Sequence, residues 1–177
     1  YKKIWKEGYN LTDPSAKEKE IYVNVDISEK EYVRASLYLV KKNILILYFG
    51  TFFILVTAFY LLSFGQSQLS SLVIAIIATL FVLILSFYRT IWLYKKKFKK
   101  DRLLKEKVTY KIDLKGLESS RERGSIFMSW SDYISIKEHQ DLFLLYISDT
   151  QAQIIPERCF QSGEDKQYFK LLMANNK

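Results

Sequence analysis

The 177-residue chain has a single cysteine, Cys159, so no disulfide can close within it and no cysteine-based metal site can form. That usage fits a reducing compartment. His139 is the only histidine, which removes histidine-cluster metal sites and most histidine-based acid–base schemes. Gly116, Gly124 and Gly163 stand singly where turns are expected, and no phosphate loop or dinucleotide fingerprint is present. No internal repeat is evident. The first 43 residues are polar and charged without an early apolar run, so no secretory signal is expected there. The chain opens on Tyr1 rather than methionine, which leaves room for an upstream start. The most informative absence is of charge: from Ile44 to Tyr94 the only charged residue is Arg89.

The charge that is present is unevenly spread. Residues 1–43 carry nine Lys/Arg and seven Asp/Glu, and residues 108–177 carry nine bases against ten acids. Residues 95–107, KKKFKKDRLLKEK, carry eight bases and two acids. Most of the net +8 therefore sits in one stretch directly after the apolar region. That placement points to membrane lipids as partners and not to nucleic acid.

Ile44 to Phe64 is a run of 21 uncharged residues, and Leu69 to Tyr88 a second run of 20, with apolar character continuing to Tyr94. At 1.5 Å per residue the first spans about 31 Å, enough for a hydrocarbon core of roughly 30 Å. Two such runs are hard to bury in so short a chain, which disfavours a pair of core helices in a soluble protein. The connector Gly65-Gln66-Ser67-Gln68 can only turn tightly, so the helices are expected to be antiparallel neighbours. Small residues on the first (Gly50, Thr51, Thr57, Ala58) and second (Ala75, Ala78, Thr79) would let the backbones approach. No acid or base lies deep in either run, whereas pores, pumps and proton relays usually need one, so an anchor is expected rather than a transport path. Lys41 and Lys42 precede the first helix and Lys95, Lys96, Lys97, Lys99 and Lys100 follow the second, while the loop has no base. The positive-inside rule then places a multi-pass protein in the cell membrane with both termini cytoplasmic. Trp92 and Tyr94 fall where an aromatic belt would lie, and Arg89 can snorkel to the same interface.

Glu20 to Ile27 alternates strictly, as a half-buried strand does. Ser28-Glu29-Lys30-Glu31 is a capping-box pattern opening a helix whose stripe is Val33, Leu37, Val40 and Ile44. Beyond the basic run, Val108–Leu114, Leu117–Ser120, Ser125–Trp130, Tyr133–Glu138, Leu142–Ser148 and Gln151–Ile155 read as short strands of one meander. They are separated by turns at Lys115-Gly116, Arg121–Gly124, Gln140-Asp141 and Asp149-Thr150. Pro156 ends the last strand, and Ser162 to Asp165 caps a helix expected to bury Tyr168, Leu171 and Leu172. A lone strand is unstable in water, so strand 20–27 is expected to pair with this sheet. The expected fold is therefore α+β, in four parts. Residues 1–43 form an N-terminal cytoplasmic segment (strand 20–27, helix 28–43), and 44–94 a two-helix transmembrane hairpin (44–64 and 69–88, reaching 94). Residues 95–107 form a basic juxtamembrane linker helix, and 108–177 a small cytoplasmic antiparallel β domain with a C-terminal helix.

The patterns V-D-I-S-E-K-E-Y at 25–32, I-F-M-S-W-S-D-Y at 126–133 and I-I-P-E-R-C-F at 154–160 resemble the YcxB-like family of small bacterial membrane proteins. The resemblance covers most of the chain from about Ile21. It implies a pleckstrin-homology-like C-terminal domain, with no established activity and no catalytic residues.

Lys95, Lys96, Lys97, Lys99, Lys100 and Arg102 are the candidate contacts for anionic lipid headgroups, beside the plainer reading that they only fix topology. Trp130, Tyr133, Phe143 and Tyr146 are expected in the core, His139 in a solvated turn, and Cys159 as a buried structural thiol. Ser129, Ser131 and Asp132 lack a well-placed histidine for hydrolysis. No catalytic residue, metal or cofactor is expected. The function expected is a non-enzymatic binding or regulatory module held by the hairpin, with a protein partner in the membrane or cytoplasm. An immunity protein against a toxin or bacteriocin is one form of it, by analogy only. The alternatives are an anionic-lipid sensor and, less favoured, a membrane enzyme or transporter. Small-residue helix faces would also serve a homo-oligomer.

Overall fold

A computed structural model describes residues 19–62 and 68–175. The expected turn at Gly65 to Ser67 lies outside these residues, as does the segment 1–18. The chain divides into two compact units. One holds the described residues up to Glu31 together with those from Asp101 onward, and the other is Tyr32–Lys100.

The first unit is built on antiparallel strands. β1 (Ile21–Val25) pairs with β2 (Val108–Ile112), then come β3 (Gly116–Arg121) and β4 (Gly124–Ser129), in the order β1-β2-β3-β4. The expected pairing of the N-terminal strand is thus observed, in the register Ile21 with Ile112, Val23 with Tyr110 and Val25 with Val108. Those six side chains are all buried, while Tyr22 and Asn24 face outward. A second sheet holds β5 (Ser135–His139), β6 (Leu142–Ser148) and β7 (Gln151–Pro156) in sequence order. The single meander expected from the sequence is therefore two sheets. The break falls at a 3-10 turn, Trp130–Asp132, where Trp130 drops into the core and donates its indole N–H to the Asp113 carbonyl at 3.0 Å.

Turn chemistry fixes the hairpins. The Asp113 carboxylate accepts the N–H groups of Lys115 (2.7 Å) and Gly116 (3.0 Å), an Asx turn that reverses the chain into β3. Gln140, at φ 56°, turns β5 into β6. α3 (Gly163–Asn175) starts where Ser162 Oγ accepts the Asp165 N–H at 3.0 Å. Its inner stripe is Tyr168, Phe169, Leu172 and Met173, two i, i+4 pairs; Leu171, expected inside, is only half-buried. Phe143, Phe160 and Phe169 pack with ring centroids 5.1–5.6 Å apart at the centre of this core. Tyr133 O–H donates to Gln153 Oε1 at 2.9 Å, joining the turn before β5 to β7.

The second unit consists of two long helices. α1 runs unbroken over Glu29–Leu62, so the capped N-terminal helix continues into the first apolar run. α2 covers Gln68–Lys100. They are antiparallel neighbours: Tyr32 packs on Phe98 at 5.5 Å and Tyr94 at 6.4 Å, and Tyr48 O–H donates to Ser86 Oγ at 3.3 Å. The seam of α2 includes buried Ala75, Thr79 and Phe98, with Leu83, Ser86, Thr90 and Tyr94 half-buried between. On α1, Gly50, Thr57 and Ala58 face outward, contrary to the expected small-on-small contact; half-buried Tyr48, Thr51, Phe52 and Leu55 form the seam instead. At one point of the seam a large side chain of α1, Tyr48, meets a small one of α2, Ser86.

The expected linker helix 95–107 ends early. α2 stops at Lys100, and residues 101–107 form turns. The Asp101 carboxylate accepts the Leu103 N–H at 2.9 Å, and Lys105 N–H donates to the Arg102 carbonyl at 3.1 Å. A short acidic side chain that satisfies nearby backbone in this way competes with helix continuation.

Candidate functional site

The basic end of α2 is the first candidate. Trp92, Lys95, Lys96, Lys99 and Lys100 line a surface pocket of about 340 Å³. Their spacing is i, i+3, i+4, i+7 and i+8, which places all five on one face of a helix. Lys96 Nζ lies 4.8 Å above the centre of the Trp92 ring, a cation–π arrangement. Of the six residues proposed from sequence, four share this face. Lys97 does not line the pocket, and Arg102 follows the helix end, in the other compact unit. Trp92 is the member that composition alone assigns to an interfacial belt; its spacing from the lysines is the signal that brings it into the site. Four lysines on the helix face that carries an indole suit an anionic, partly apolar ligand.

The second candidate was not visible in the sequence. Arg158, in the 3-10 turn Glu157–Cys159 after β7, donates from Nε to Glu31 Oε1 at 2.7 Å and from Nη2 to Oε2 at 2.8 Å. Nη2 also donates to the Asp26 carbonyl. Ser28 N–H and Ser28 O–H each donate to Glu31 Oε2 at 2.8 Å, and Glu31 N–H donates to Ser28 Oγ at 3.3 Å, completing the capping box. Glu31 is buried. The Arg158 guanidinium holds its carboxyl far below the ordinary range, at about 2, with help from Ser28 and against the opposing effect of burial. Arg158 is correspondingly held higher by Glu31. A bidentate, charge-assisted pair of this kind orients both partners. The patterns at 25–32 and 154–160, read separately along the chain, thus meet in space.

Other singled-out residues have structural surroundings. Trp130, Tyr133, Phe143 and Tyr146 are buried, as expected. Burial pushes Tyr110 up to about 12 and Tyr133 higher still. Ser129 N–H donates to Asp132 Oδ2 at 2.8 Å, and Ser129 Oγ lies 3.1 Å from Ser131 Oγ, so this trio shapes the turn that carries Trp130. His139 is half-buried at the end of β5 rather than solvated, because its strand is paired there with Leu142. Cys159 is half-buried against the core. Among the described residues, no group of three or more His, Cys, Asp or Glu is placed to hold a metal ion.

These features define an α+β chain in which two long apolar helices are inserted, in sequence, between the first and second strands of an antiparallel β domain closed by a C-terminal helix. Residues 112–173 match the model of the family described as YcxB-like protein. The chain is also 24% identical over 115 residues to a Bacillus subtilis (strain 168) protein named uncharacterized protein YcxB. That match covers 65% of this chain and 60% of the relative. The resemblance to the YcxB-like family is borne out over residues 112–173.

Proposed function

We propose that the chain is a bilayer-anchored, non-enzymatic interaction module. α1 and α2 cross the membrane, both ends lie in the cytoplasm, and the β domain, of pleckstrin-homology-like form, presents a binding surface to a protein partner. The observation that carries this reading is the outward surface of the two helices. Leu62 is 83%, Leu69 77% and Ile54 70% exposed, in helices long and apolar enough to cross a bilayer. Such faces are stable in hydrocarbon and not in water. Two hydroxyls of the helices bond back to their own backbone, Thr51 to the Leu47 carbonyl (2.8 Å) and Thr90 to the Ser86 carbonyl (2.9 Å), which suits a lipid surrounding. Antiparallel sheets of four and three strands with α3 in the core support the pleckstrin-homology-like reading.

Cysteine accessibility in intact cells tests it. In a Cys159→Ser background, Ser67→Cys should react with an impermeant maleimide, while Thr12→Cys and Asp132→Cys should not. Labelling at Asp132→Cys without Ser67→Cys inverts the topology, and no protection at any site removes the membrane span. Recovery of the chain without any partner in mild detergent would count against the interaction role.

A second reading has its own observation. The Trp92 pocket with its four lysines supports recognition of anionic lipid headgroups, each basic residue near such a surface contributing roughly 1 kcal/mol.

A further inference from the structure

The outer edge of β4 is unlike the other free edges of the β domain. Among the described residues no strand pairs with it. Edge strands are ordinarily guarded by charge, proline or a bulge. β5 carries Lys137 and Glu138, β7 ends in Pro156 with a register shift against β6, and β1 is flanked by Glu20 and Asp26. β4, GSIFMS, has no charge and no proline, and its register against β3 is unbroken. At its centre Ile126 is 66% and Phe127 55% exposed.

The backbone direction is set as well. Ser129 N–H turns away from β3 to the Asp132 carboxylate. By the alternation of an antiparallel strand, Ser125 and Phe127 aim their N–H and C=O groups to that same open side. The strand is also symmetric by residue class: Ser125-Ile126-Phe127-Met128-Ser129 reads alike in both directions about Phe127.

We propose that β4 is a homodimer interface, in which two copies of this chain join their four-stranded sheets edge to edge about a two-fold axis at Phe127. An isologous contact needs a self-complementary surface, and this strand supplies one. Phe127 meets Phe127 of the second copy as a hydrogen-bonded pair, each N–H donating to the other's carbonyl. Ser125 N–H donates to the carbonyl of the second copy's Ser129, which leaves the Ser129 N–H with Asp132. Ile126 lies against the second copy's Met128, a residue already packed on the core, so the apolar layer continues across the joint. The two Phe127 rings form a cross-strand aromatic pair on the outer face.

The full chain in detergent or nanodiscs serves for the test. In a Cys159→Ser background, Phe127→Cys should oxidise to a disulfide-linked dimer. The Cα atoms of a hydrogen-bonded antiparallel pair lie about 5.5 Å apart, within the range a disulfide spans. Lys137→Cys, on β5, should remain unlinked under the same conditions. By light scattering the parent chain should be a dimer, and Phe127→Lys, which sets two ammonium groups face to face, should weaken dimerisation about tenfold or more. Phe127→Thr keeps a strand-forming residue at an exposed position and should weaken it less, without loss of Tm. A parent chain monomeric at every concentration overturns the proposal. So does a dimer that survives Phe127→Lys, or one that cross-links at Lys137→Cys as readily as at Phe127→Cys.

Discussion

Arg158 and Glu31 stand 127 positions apart in the chain and are joined by two charge-assisted hydrogen bonds. Glu31 lies in the first turn of α1, and Arg158 in the turn that follows β7. Glu31 is therefore tied to the turn after β7 within the first unit.

Breaking the pair from one side should be costly. Arg158→Met leaves a buried carboxylate with only Ser28 for support and should lower stability by about 2 kcal/mol. The double variant Glu31→Gln with Arg158→Met should be more stable than Arg158→Met alone, because it removes the uncompensated charge. Denaturant unfolding of the full chain in detergent, set out as a double-mutant cycle, measures the coupling. Additive losses would show that the two side chains act independently.

The same pair sets a pH dependence. The Glu31 carboxyl is lowered from 4.5 to about 2, first by Arg158 and then by Ser28. A carboxylate whose folded pKa is depressed contributes stability that is complete above its unfolded value and is lost as pH falls through the folded one. The Tm difference between the parent chain and Glu31→Gln should therefore be constant above about pH 5 and shrink as pH falls toward about 2. A difference that does not change with pH would show that Glu31 acts through shape and not charge.

Gly116 is required by close approach. It pairs with Ser129, and a Cβ there would run into the Met128 carbonyl and lie 2.9 Å from Ser129 Cα. Gly116→Ala should destabilise the β domain by about 2 kcal/mol, since backbone must move to admit the methyl group. Gly50→Ala, with nothing within 4 Å of the added atom, should fold unchanged. Thermal melts of the two variants side by side make the comparison. Equal effects would contradict the packing at Gly116.

The lysine face of α2 can be tested with the four Lys→Gln changes at 95, 96, 99 and 100. If the pocket holds anionic headgroups, retention of anionic lipid on the purified chain, read by native mass spectrometry, should fall about tenfold or more. Salt should weaken retention on the parent chain more than on the variant. Unchanged retention would remove headgroup binding from these lysines.

Local chemistry made much of the fold legible. The alternation of Ile21, Val23 and Val25, the capping box at Ser28 and Glu31, and the turns at Lys115-Gly116 and Arg121–Gly124 all declare themselves within a few residues, although the first turn begins two residues earlier than expected, with β2 ending at Ile112. So does the α2 pocket in part: its lysines are adjacent in sequence, and Trp92 lies one helical turn before them. The chain-order separation of β1 from β2 by the helices was also resolvable, because an unpaired alternating strand must find a sheet.

Composition and periodicity by themselves determined the two apolar helices, the strand boundaries to within a residue or two and the basic end of α2, since each depends on neighbours three or four positions away. Tertiary structure alone decided which small residues meet at the helix seam, that Phe169 and Met173 rather than Leu171 enter the core, and that the strands split into two sheets. It alone also joined Arg158 to Glu31. An ion pair across 127 residues leaves no periodic signal, because what brings its partners together is the closure of the whole β domain around its core.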